Sequence, residues 1–145
     1  MKKLLVTLLF IIISILSIQA QYTKLFDFSS ASSQAAIPSA DFVSVGAFLY
    51  GTTNYGGTSY AGTVFKIKPD GTGYDTLICF RGPNGSLPKG SLIYDGSYLY
   101  GMTLGGGLNN KGTIFKIKPD GTGFLMLHDF GSAKCDPAGI PYYSI

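Results

Sequence analysis

The sequence predicts an all-β protein, a β-propeller-like array of tandem four-stranded antiparallel blades. It supplies about two blades plus an extra strand, behind an N-terminal signal-peptide helix. Three observations predict this. A long stretch recurs at a fixed offset of fifty residues. Strand-like runs inside each copy are punctuated by glycine and proline turns. The acids are all Asp, with no Glu and no Trp, beside twenty glycines. Asp competes for nearby backbone N–H groups and so favours turns where Glu favours helices, which makes this a composition for short strands.

Residues 47–73 laid over 97–123 give seventeen identities in twenty-seven positions, including Leu49-Tyr50-Gly51 over Leu99-Tyr100-Gly101. The block from Gly62 to Gly73 matches Gly112 to Gly123 everywhere except Val64 over Ile114. A period near fifty signals a solenoid, a propeller or an array.

The second copy shows the elements most clearly. Leu92 to Tyr94 runs into Asp95-Gly96-Ser97, where glycine accepts positive φ, and Tyr98 to Thr103 returns as the second strand. A glycine-rich loop from Gly105 to Gly112 leads to the third strand, Thr113 to Lys118. There Thr113, Phe115 and Ile117 alternate with Ile114, Lys116 and Lys118, so one face is apolar and the other becomes cationic. Pro119-Asp120-Gly121 turns the chain into a fourth strand, Phe124 to Phe130. The first copy repeats the plan at Phe42 to Val45, Phe48 to Thr53, Thr63 to Lys68 and Tyr74 to Phe80. Tyr22 to Phe28 resembles a lone fourth strand, expected to join the last blade of a ring or to cover an edge. A four-strand meander at this period fits a propeller blade better than a sandwich, whose strands do not recur as one unit.

The ends of the chain carry their own expectations. Lys2 and Lys3, an apolar run from Leu4 to Ile18 and the small Ala20 have the three parts of a secretory signal, with cleavage expected after Ala20. The run is too short and lacks the cationic stop of a membrane anchor, so no span is expected after cleavage, and the protein is expected to be secreted or at the cell surface through the general secretory pathway. Residue 21 is Gln, which removes a lipid-modified cysteine at the mature start. Without the leader, nine cations face eight anions, and so small a charge gives no reason to expect nucleic acid as a partner. Residues 21–145 form the repeat region, with blade 1 at about 36–80, blade 2 at about 86–130 and the start of a third unit at 137–145. Propellers close with about four to eight blades, so the sequence predicts a fragment of a larger propeller, with self-assembly of several short chains as the alternative. An oxidising compartment permits a disulfide, but Cys79 and Cys135 hold unlike places in the repeat, which favours an unpaired, partly buried Cys79.

The residues Leu49-Tyr50-Gly51-Thr52-Thr53, Gly56-Gly57, Gly62-Thr63-Val64-Phe65-Lys66 and Pro69-Asp70-Gly71, closing with Leu77 and Phe80, resemble the GloVer tandem repeat. The second copy fits equally well, except that Met102 replaces the first threonine. The resemblance implies a propeller-like array on an exported bacterial protein and no particular catalytic activity or ligand. A weaker similarity to kelch repeats lies in the double glycine and the period, and the absence of Trp tells against it.

No motif for catalysis, for a metal or for a cofactor emerges. Asp70, Asp120 and Asp95 sit in turns, where a carboxylate caps backbone donors. His128, the only histidine, replaces Ile78 of the first copy and is expected to be a partly buried structural residue on a strand. Asp129 beside it should point to the opposite face and so cannot orient it. One histidine and two distant cysteines make no compact zinc spacing, and Asp70 to Asp75 lacks the alternating oxygens of a calcium loop. The stretch Gly105 to Gly112 has Lys-Gly-Thr where a phosphate loop needs Gly-Lys-Thr, and it joins two strands.

Comparison of the copies separates scaffold from what is free to vary. The variable part is the loop between the second and third strands, with Tyr55, Thr58, Ser59 and Tyr60 in one copy and Leu104, Leu108, Asn109 and Asn110 in the other. Tyr55, Tyr60, Asn109 and Asn110 are the candidate ligand-binding residues, for an extracellular protein or a glycan. A non-catalytic extracellular or cell-surface repeat module is therefore the expected function. Part of a secreted hydrolase whose catalytic residues lie in other blades, and a structural spacer or adhesin stalk, are the alternatives.

Overall fold

The computed structural model describes residues 23–28 and 36–131. The leader at 1–20, Tyr22, Cys135 and the expected third unit at 137–145 lie outside the described residues. The strands are β1 (Ala36–Pro38), β2 (Val43–Val45), β3 (Phe48–Tyr55), β4 (Thr63–Ile67), β5 (Asp75–Cys79), β6 (Ser86–Pro88), β7 (Ile93–Tyr94), β8 (Leu99–Gly105), β9 (Thr113–Ile117) and β10 (Leu125–Asp129). They form two five-stranded antiparallel sheets, β1 to β5 and β6 to β10.

Each sheet has five strands rather than the expected four, because the expected first strand, β2 or β7, is joined by a further short strand, β1 or β6, that is not among the expected ones. In the first sheet Ala36 and Pro38 of β1 face Tyr55 and Thr53 at one end of β3, while Val43 to Val45 of β2 face Tyr50 to Phe48 at the other. The second sheet repeats this with β6 and β7 on β8. β1 and β6 are irregular for a backbone reason. Ile37 and Leu87, at their centres, take φ values of 56° and 54°, a region that β-branched and bulky residues rarely enter, and the proline that follows each has no N–H for a ladder. The fourth strand carries a second irregularity. Val64 pairs with Ile78 but Phe65 with Thr76, which leaves Leu77 as a bulge, and Leu127 is the matching bulge in β10.

Alternation sorts each sheet into two faces. The leading face carries Leu49, Gly51, Phe65 and Ile67 in the first sheet and Leu99, Gly101, Phe115 and Ile117 in the second, each set joined across the β3–β4 or β8–β9 ladder. The trailing face of the first sheet presents Tyr50, Thr52 and Val64, with Phe80 just beyond β5. This trailing face packs on the leading face of the second sheet, and Tyr50, Val64, Phe80, Leu92, Leu99, Phe115 and Ile117 make one buried core. The Phe80 ring lies edge-on to Phe115 at 5.2 Å, and the Tyr50 hydroxyl donates to the Pro119 carbonyl at 3.3 Å across the same contact. Burial pushes the Tyr50 hydroxyl pKa up, reinforced by the nearby Tyr94 and Asp120.

The recurring Leu-Tyr-Gly has its explanation on the leading face. A Cβ on Gly101 would stand 2.5 Å from the Phe115 ring and 2.9 Å from Leu92, so the glycine is the floor on which the ring lies. The aspartate turns also behave as expected. Asp70 Oδ1 accepts from the Thr72 N–H at 2.8 Å and the Thr72 hydroxyl at 2.7 Å, and Asp120 repeats both distances with Thr122. Asp95 Oδ1 accepts from the N–H groups of Ser97 and Tyr98, and its other oxygen takes the Tyr100 hydroxyl at 2.7 Å. These donors hold all three carboxyls below the usual Asp range: Thr72 and Thr122, hydroxyl first, at the two proline turns, and the Tyr98 N–H above all at Asp95.

Two expectations need correction. Residues 23–28 are not part of any strand; they lie over the leading face of the first sheet, with Phe26 stacked on Tyr74 at 4.4 Å and Phe28 edge-on to Phe65 at 5.3 Å. His128 is exposed rather than partly buried, with its ring edge-on to Phe130 at 4.8 Å. It lies on a strand with no sheet packed against its outer face among the described residues, whereas the face around Ile78 is sheltered by the second sheet.

Candidate binding loops

The loops that join β3 to β4 and β8 to β9 hang from matching frames. Gly62 N–H donates to the Gly56 carbonyl and Gly112 N–H to that of Gly106, both at 3.1 Å. Phe80 and Phe130 close the same frames with N–H bonds to Gly62 and Gly112. Beneath each lies a buried hydroxyl pair, Thr53 with Thr63 and Thr103 with Thr113, both at 2.9 Å. Thr53 and Thr103 also donate to the carbonyls of Tyr55 and Gly105, so the strand ends are pinned before the loops begin. The recurrence of Gly56 and Gly62 at Gly106 and Gly112 signalled the frame, and Thr53 and Thr63 recur at Thr103 and Thr113, although their pairing across the ladder has no local signature.

On these like frames the tips differ. Tyr60 and Asn110 occupy the same position with nearly the same backbone, φ 57° and 54°. Asn110 suits it, since its Oδ1 accepts the Gly106 N–H at 2.8 Å and closes the loop from within. Tyrosine has no short acceptor to do this, and the Tyr60 side chain stands out into solvent at 59% exposure. Tyr55, at the root of the same loop, is exposed as well. In the second loop Asn109 is exposed and Leu108 almost fully so, while the Leu108 N–H donates to Asp129 Oδ2 at 2.7 Å. Asp129 thus braces the loop from below and faces away from His128, as consecutive strand residues should. Cys79 holds the equivalent place under the first loop, half-buried, its sulfur 3.1 Å from where a Gly57 Cβ would lie.

The structure therefore places Tyr55 with Tyr60 on one loop and Asn109 with Asn110 on the next. No hydrogen bond or ring contact joins the two pairs among the described residues. The repeat model of the Gloeobacter/Verrucomicrobia family matches residues 11–141. The chain belongs to this repeat family. No curated protein and no solved structure matches the chain. Within this Gloeobacter/Verrucomicrobia repeat, Leu-Tyr-Gly is thus a packing element, the Pro-Asp-Gly stretch is a capped turn, and the double glycine frames a loop.

Two features lie beyond the four candidate residues. Leu108 is a large apolar side chain presented at a loop tip, and only its lack of a counterpart in the first copy, where Thr58 stands, hinted at this. An apolar cleft of about 240 Å³ opens between residues 23–28 and the first sheet, walled by Leu25, Phe26, Phe28, Phe42, Leu49 and Ile67. It depends on side chains that are distant in sequence, from Leu25 to Ile67, and has no local signature.

Proposed function

We propose that the chain is a non-catalytic extracellular or cell-surface module whose two sheets are blades of a propeller-like array. It binds a protein or glycan partner through the loops at 55–62 and 105–112. The observation that carries this reading is Tyr60. A left-handed backbone costs a bulky residue roughly 1–2 kcal/mol, and the matching position in the second loop holds the asparagine that suits it. Loop 55–62 thus keeps an exposed aromatic ring where the fold by itself favours a smaller polar residue. An exposed tyrosine offers an apolar face and a polar tip, the combination that stacks on sugars and fills protein contacts.

The test is a Tyr60→Asn substitution, which copies the second loop into the first. Stability should rise by about 1 kcal/mol in urea unfolding as the backbone strain is relieved. Glycan-array and pull-down signals that the unaltered protein gives should fall with Tyr60→Asn and with Tyr55→Ala. Ligands retained in full by both variants would refute the loop reading.

A further inference from the structure

Among the described residues, the two sheets bury one copy of a contact and leave both of its halves largely uncovered elsewhere. On the first sheet's trailing face, Thr52 is 2% exposed and Phe80 0%, because the second sheet lies on them. Their counterparts on the second sheet, Met102 and Phe130, are 56% and 37% exposed. Ile93 and Leu127 beside them are exposed too, so this face is apolar and open. The leading faces show the reverse asymmetry. Leu92 of the second sheet is 4% exposed, whereas Phe42, its counterpart on the first, is 52% exposed at the mouth of the apolar cleft.

We infer that the trailing face of the second sheet docks on the leading face of the first sheet of another copy of this chain, head to tail. This contact continues an interface already made, because the repeat at offset fifty gives the open faces the same residue plan as the buried ones. The polar part of the contact transfers as well. Tyr50 donates to the Pro119 carbonyl, and Tyr100, whose hydroxyl now bonds Asp95, meets the Pro69 carbonyl of the next copy in the same register. Met102 in place of Thr52 adds apolar reach to the free face and removes a hydroxyl that is buried without a partner in the first sheet.

One element competes. Phe28 holds the place on Phe65 that Phe80 holds on Phe115, at 5.3 Å against 5.2 Å, so the incoming Phe130 must displace residues 23–28. That segment acts as a plug that mimics the fourth strand of a preceding sheet and limits assembly. The contact is heterologous, so it extends until a ring closes. It does not depend on what the loops bind.

Sedimentation velocity across a concentration series tests it. The protein should pass from monomer to larger species as concentration rises, and Phe28→Ala should move that transition to lower concentration. Met102→Asp, or Ile93→Asp as the second variant of that face, should stay monomeric with an unchanged circular dichroism melt, since both side chains are exposed, and Phe42→Asp should stay monomeric while keeping the native circular dichroism spectrum. Mixing Met102→Asp with Phe42→Asp restores one intact face from each and should give a one-to-one dimer at twice the monomer mass. A wild-type protein that stays monomeric at its solubility limit, or a mixture that stays monomeric, would overturn the inference.

Discussion

Alanine at Phe80 and alanine at Phe130 remove the same side chain from the same place in the two repeats, and the contact between the sheets makes their costs differ. Phe80 is fully buried, with Phe115 at 5.2 Å and Phe124 at 6.5 Å. Truncation of such a ring costs about 3–5 kcal/mol, transfer and cavity together. Phe130 is over a third exposed and its ring contact is with His128, so most of the cavity cost disappears and about 1–2 kcal/mol remains. In urea, with a slope of about 1–3 kcal/mol per molar, the midpoints of the two variants should differ by roughly 1–2 M at dilute protein. Phe80→Ala should be the weaker. Equal losses, or a larger loss at Phe130, would refute the idea that the second sheet covers the first through this ring.

Adjacent threonines should respond in opposite directions: Thr52→Val deletes a buried hydroxyl that has no partner and should stabilise by about 1 kcal/mol, whereas Thr53→Val orphans the Thr63 hydroxyl and should cost about 1–3 kcal/mol in the same unfolding assay. Gly101→Ala should destabilise by about 1–3 kcal/mol through the clash with Phe115 and Leu92, read as a lowered melting temperature, with no relief from a helical or turn preference because the position is mid-strand. The lowered carboxyl of Asp95 fixes a sign: its contribution is complete above the ordinary Asp range and is lost as pH falls through the depressed folded value, so Asp95→Asn should flatten the acid limb of the stability profile and leave the neutral slope alone.

What was legible in the sequence was whatever is local. The alternation of Thr113, Phe115 and Ile117 gives β9 its buried face, and Pro119-Asp120-Gly121 gives the capped turn before β10. What was not legible depends on contacts at long range or on backbone states that composition does not mark. β1 and β6 are three residues long with left-handed Ile37 and Leu87 at their centres, and nothing in an Ile-Pro or Leu-Pro pair marks a strand of that kind. Leu77 sits between Thr76 and Ile78 with no alternation to flag it as an extra residue, so the bulge and its effect on facing were invisible. His128 looked sheltered because Ile78 holds its place in the first copy, but shelter there comes from the second sheet and not from the strand itself. Of the candidate site, the loops were found from variation between the copies. The contrast that singles out Tyr60, a ring on a backbone suited to Asn110, required the φ angles.

The stacking of the first sheet's trailing face on the second sheet's leading face underlies the loops, the buried core and the open faces alike. Nuclear Overhauser contacts between assigned aromatic rings read it directly. The structure predicts cross-peaks from the Phe80 ring to Phe115 and to Phe124 in dilute solution, together with contacts from Phe28 to Phe65. A Phe80 ring that instead contacts Phe65, or that shows no contact with any residue beyond 90, would contradict it.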